Sequence, residues 1–134
     1  MTYWNDSLLV GVAEIDDWQQ KLFKAIDKLM DACGAGKGRE EIAQELTLTV
    51  SHIKEYFKVD ENFQEKYAYP AINAHKRLHA QFMLTVNSLV AEYGRTGPHA
   101  ALAGKFNRTM VDWLINHIST EDMKVGRHIL DGGK

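Results

Sequence analysis

The chain has 134 residues, 45% of them hydrophobic and 25% charged, the proportions of one globular domain spanning residues 1–134. Sixteen Lys and Arg against eighteen Asp and Glu leave a net charge of −2, without the basic excess that a phosphate backbone requires, so nucleic acid is not an expected partner. No uncharged stretch approaches the roughly 20 apolar residues that span a bilayer, and no basic segment precedes an apolar run near the N-terminus, so the expectation is no membrane span, no secretory signal and a cytoplasmic location.

The residues before Asp16 read as an arm. A first helix is predicted after Asp16 and Asp17, either of which could cap it, because Leu22, Ile26, Leu29 and Cys33 recur every three or four positions. Cys33 is the single cysteine, which excludes an internal disulfide and leaves any metal site to His and carboxylates. Gly34, Gly36 and Gly38 break the pattern. The second helix runs through Ile42, Leu46, Val50, Ile53, Phe57 and Phe63 to about Tyr67, before Pro70. The third opens at Pro70, carries Ile72, Leu78, Phe82, Val86, Leu89 and Tyr93, and stops near Gly94. The fourth follows Pro98, carries Leu102, Phe106, Met110, Trp113 and Leu114, and ends near Gly126. Four amphipathic helices with short connections predict an all-α, antiparallel up-down four-helix bundle.

Several polar residues interrupt these apolar stripes, and a polar group facing a core costs free energy unless something satisfies it. His75 and His79 are four apart on the third helix, in the row of Ile72, Phe82 and Val86. His117 continues the row of Phe106, Met110 and Trp113. Tyr56 and Asp60 fall on the stripe of the second helix, and Gln19 on that of the first. One inward histidine is ordinarily a core residue with a single hydrogen bond. Three of them together with Asp60 are more readily satisfied by one cation, and imidazole with carboxylate suits iron, manganese or zinc. By helical geometry Glu121, four residues after His117, shares its face, whereas Asp122 lies about 140° away.

The motifs W-N-D-S-L-L-V-G-V-A-E-I-D, Y-A-Y-P-A-I-N-A-H-K-R-L-H and W-L-I-N-H-I-S-T-E-D resemble those of the hemerythrins, above all the bacterial single-domain type. The resemblance implies a four-helix bundle with two bridged irons and reversible dioxygen binding. It assigns His75, His79 and His117 to the three-histidine iron and Asp122, not Glu121, to the bridging aspartate, which requires a local bulge in the fourth helix. The other half departs from the family: I-D-D-W-Q puts Gln19 where a histidine is expected, and Y-F-K-V-D-E puts Tyr56 in place of a histidine and Asp60 in place of the bridging glutamate. His52 lies a turn too early to substitute, and His99 and His128 are assigned to solvated surface.

The expected ligand set is therefore His75, His79, His117 and Asp122, with Asp60 or Tyr56 completing it. No catalytic residue is assigned, and Tyr56 and Gln19 are candidates for the surroundings of the metal or for a substrate pocket. One iron is favoured over two. Such a centre could activate dioxygen to oxidise a small molecule, as a mononuclear iron oxidase or oxygenase, with the loss of a second iron freeing space beside Gln19 and Tyr56. The alternative is a non-catalytic protein that binds dioxygen or nitric oxide, or holds metal, with a weak second iron site.

Overall fold

The computed structural model describes residues 4–132. Helix α1 spans Ala13–Gly34, α2 Arg39–Lys66 and α3 Ile72–Thr96. A fourth rod is assembled from α4 (Ala100–Phe106), α5 (Trp113–His117) and α6 (Met123–Leu130), joined by π-helical turns at Asn107–Asp112 and Ile118–Asp122. No strand occurs among the described residues. Connections of a few residues force successive rods to run antiparallel, which makes the four-helix bundle the sequence predicts.

The predicted stripes form its core. Leu22, Ile26, Leu29, Ile42, Ile53, Val86, Leu102, Met110 and Leu114 are fully buried, each contributing about 1.5–3 kcal/mol by removal from water. A change such as Leu22→Ala would leave a cavity between rods and cost about 2–5 kcal/mol. At the end remote from the histidines, Arg39 Nη2 donates to Gly94 O at 2.8 Å and Tyr93 Oη donates to Arg39 O at 2.5 Å, tying α2 to α3.

Four boundaries differ from the sequence reading. Helix α1 begins at Ala13, ahead of Asp16. The Asp16 carboxylate points back to the arm and accepts from Val10 N at 2.8 Å and Gly11 N at 3.1 Å, so tertiary demand for those amides outweighs a capping role. Pro70 precedes α3, whose first residue is Ile72. Gly94 lies inside α3, and Gly97, at φ +70°, ends it, since only glycine takes that conformation without strain. Gly126 lies within α6, where an added Cβ would come within 2.3 Å of Val10 O. It is glycine because the arm crosses there.

Two histidines assigned to solvated surface have structural work. His99 caps α4 by accepting from Leu102 N at 3.3 Å. His128 Nε2 donates to Tyr67 O at 2.7 Å, locking α6 to the α2–α3 connection.

Candidate metal centre

The third helix places His75 and His79 one turn apart on its inner face, and both are buried. The fourth rod adds His117 and Asp122 through the π turn at Ile118–Asp122. An i→i+5 turn contains one residue more than an α turn, which brings residues five apart onto one side. His117 Nε2 and Asp122 Oδ1 accordingly lie 3.0 Å apart, whereas Glu121 is turned out and pairs with Lys124 at 3.6 Å. The bulge corrects the choice that regular helical geometry favours.

The three Nε2 atoms converge. His117 Nε2 is 3.1 Å from that of His79 and 3.1 Å from that of His75, and His75 Nε2 is 3.0 Å from both Asp122 Oδ1 and Asp60 Oδ2. Donor atoms of His75, His79, His117 and Asp122 all lie within 4.8 Å of one another. Two buried carboxylates face a knot of ring nitrogens that cannot all point N–H groups at each other, so the arrangement calls for a cation. The donor atoms 3.0–3.1 Å apart are close enough to one another to be shared by a single ion. The donor set therefore fits iron, manganese or zinc.

Without a metal the electrostatics are strained. Burial and the neighbouring Asp122 charge raise Asp60 to about 6 against the hydrogen bond from His75. Burial disfavours the His75 imidazolium, yet hydrogen bonds to Asp122 and Asp60 raise it to about 9. Burial would raise Asp122 too, but His117 and His75 hold it well below the usual carboxylate range. Burial lowers His79. Opposed shifts in one buried cluster are the pattern of a candidate functional site.

Packing fixes the rings. Phe57 stacks on His79 with centroids 3.8 Å apart, Trp113 stacks on His117 at 4.4 Å, and Tyr69 meets His75 edge-on at 6.3 Å. His79 Nδ1 donates to Glu61 Oε2 at 2.6 Å. Asp60 Oδ2 accepts from Gln64 Nε2 at 2.8 Å, while Asp60 Oδ1 and Gln64 Oε1 are buried without a hydrogen-bond partner among the described residues. Glu61 and Gln64 were not foreseen. The available signals were the consecutive acids Asp60-Glu61 and the four-residue step from Asp60 to Gln64.

The altered half is organised differently. Tyr56 is fully buried, and its hydroxyl donates to Asp122 Oδ2 at 2.6 Å. Burial, followed by the charges of Asp122 and Asp60, pushes this phenol well above its ordinary pKa. Gln19, also fully buried, accepts from Trp4 Nε1 at 2.5 Å and donates through Nε2 to Leu8 O at 2.9 Å. Its carboxamide thus anchors the arm. Two cavities reach the cluster from outside, one lined by His75 and the other by His79. His52 stays outside the cluster, donating to Leu48 O at 2.8 Å.

The family model for the hemerythrin HHE cation binding domain matches residues 10–129. A bacteriohemerythrin of Pseudomonas aeruginosa is 29% identical over 121 residues, covering 89% of this chain and 75% of the relative. One of Methylococcus capsulatus is 27% identical over 126 residues, covering 94% of each. The myohemerythrin of Theromyzon tessulatum is 24% identical over 121 residues, covering 90% of this chain and 88% of the relative. The crystal structure of a wild-type hemerythrin superposes with a TM-score of 0.81 at 26% identity, covering 95% of both chains.

Proposed function

This chain belongs to the hemerythrin family, and from that premise we propose that it holds a single iron ion on His75, His79 and His117, with Asp122 and Asp60 supplying carboxylate oxygens, and that the centre reacts with dioxygen. One observation carries the reading: Tyr56 donates to Asp122 Oδ2 at 2.6 Å. The carboxylate oxygen that would turn to a second ion is occupied by a phenol. Gln19 supports this, because both ends of its carboxamide are engaged by the arm.

Iron bound here supplies a redox-active Lewis acid for a small ligand. The three imidazoles hold their positions through Phe57, Trp113 and Glu61. Tyr56 keeps its proton on Oη and orients Asp122, acting beside the ion rather than on it. Phe57 and Trp113 cover one face each of the His79 and His117 rings.

For oxidation of a small organic molecule, the cavities lined by His75 and by His79 offer the substrate an approach. The engagement of Tyr56 by Asp122 and of Gln19 by the arm favours a second reading, a non-catalytic protein that binds dioxygen or nitric oxide or holds the metal.

Iron per chain, measured after aerobic purification together with the optical spectrum through cycles of oxygen removal and return, tests both. One iron per chain is expected, and two would overturn the single-ion reading. A reversible spectral cycle without net oxygen consumption would select the second reading, and sustained consumption with a reductant present would select the first.

A further inference from the structure

The imidazoles of His79 and His75 are not equivalent at their outer nitrogens. His79 Nδ1 donates to Glu61 Oε2 at 2.6 Å, the length of a charge-assisted bond. His75 Nδ1 is buried and has no hydrogen-bond partner among the described residues. We propose that Glu61 is a positioning residue that makes His79 a stronger donor than His75 and thereby sets the ferric-to-ferrous balance of the ion. The proposal rests on the single-iron reading.

The physical argument runs through the ring. A carboxylate that accepts from Nδ1–H draws the proton outward and leaves more electron density on Nε2, which strengthens the bond to a cation and favours the higher charge state. The same contact fixes the tautomer, with hydrogen on Nδ1 and a free lone pair on Nε2. Phe57, stacked parallel to the ring at 3.8 Å, stops the imidazole from turning away from Glu61. The side chain of Glu61 is 28% exposed, and it lines a half-open cavity with Lys54, Lys58 and Lys76. The carboxylate is thus the link between a buried ligand and the surface, and an isosteric change there leaves the packing of the core alone.

Glu65, one turn further along α2, lines the same cavity and has no hydrogen bond to the histidine ring among the described residues. It is the natural control, since Glu65→Gln removes the same charge from the same surface without touching His79. Ferrous and ferric affinities of the wild type, Glu61→Gln, Glu61→Asp and Glu65→Gln are measured by competition with a chelator, beside the unfolding midpoint of each metal-free protein. Glu61→Gln is expected to lose about 10–100-fold in iron affinity. Its ferric loss should exceed its ferrous loss about tenfold, equivalent to a rise of about 59 mV in the one-electron potential. Glu61→Asp keeps the charge but shortens the reach, and it should follow Glu61→Gln; it gives the same reading if the glutamine variant folds poorly. Glu65→Gln should stay within about twofold of the wild type.

Equal losses in Glu61→Gln and Glu65→Gln would assign the effect to general surface charge and overturn the proposal, as would wild-type affinity in Glu61→Gln. A wild-type protein that takes no iron would overturn both this inference and the single-iron reading. Tight wild-type binding with no ferric bias in either Glu61 variant would remove the inference alone.

Discussion

The two sides of Asp122 show how one buried carboxylate can serve opposite demands. Its Oδ1 faces the Nε2 atoms of His75 and His117 at 3.0 Å each, where lone pairs gather and a cation is wanted. Its Oδ2 faces Tyr56, which has already supplied a proton donor at 2.6 Å. The first side is satisfied only by adding a charge, and the second by an internal hydrogen bond. A polar core can therefore be closed by protein alone or left to a metal, and the donor count decides which.

The largest expected effect breaks the side that needs a cation. Ala in place of His75, His79 or His117 should abolish or sharply reduce iron content, because only two imidazoles would remain beside the carboxylates of Asp122 and Asp60. Elemental analysis of the three variants checks this, and full occupancy in all of them would refute the ligand assignment.

The next tries to convert the closed side into the other. Gln19→His with Tyr56→His removes the phenol from Asp122 and the carboxamide from the arm, and iron content should rise from one toward two per chain. Asp60→Glu adds the methylene that a bridge needs. If the triple variant still takes one iron, the closure lies elsewhere in the core.

A smaller effect sharpens the comparison. Tyr56→Phe leaves Asp122 Oδ2 buried and unpartnered, which should lower the stability of the metal-free protein by about 1–3 kcal/mol, as read by denaturant unfolding. Iron should remain bound. Because burial and the Asp122 charge hold Tyr56 as a phenol, the oxidised wild type should lack a phenolate charge-transfer band in the visible spectrum, and finding one that Tyr56→Phe removes would place the oxygen on the metal.

The smallest effects belong to histidines outside the cluster. His99→Ala removes the α4 cap and should cost about 0.5–2 kcal/mol, while His128→Ala removes one hydrogen bond, worth about 0.5–1.5 kcal/mol. Iron content should stay unchanged in both, by the same elemental analysis.

The bundle and its three inward histidines were legible in the sequence because helical periodicity is a local property: residues three and four apart share a face whatever surrounds them. His75 and His79 could be paired by counting, His117 fell on the row of Phe106, Met110 and Trp113, and the resemblance supplied Asp122. Glu61 was not found, since a charged residue beside a stripe is ordinarily solvated and only the approach of α3 brings His79 to it. Gly126 looked like a helix end because the crossing of the arm at Val10 is a contact between distant parts of the chain. Asp122 is the sharpest case. Regular geometry points to Glu121, and the π turn at Ile118–Asp122 reverses the choice. The closed state of the altered half was likewise beyond sequence: Gln19 and Tyr56 are visible as departures, but Trp4, Leu8 and Asp122 engage them only after the arm and the fourth rod have packed. Periodicity thus determined which residues face inward, and tertiary packing alone decided what each of them meets there.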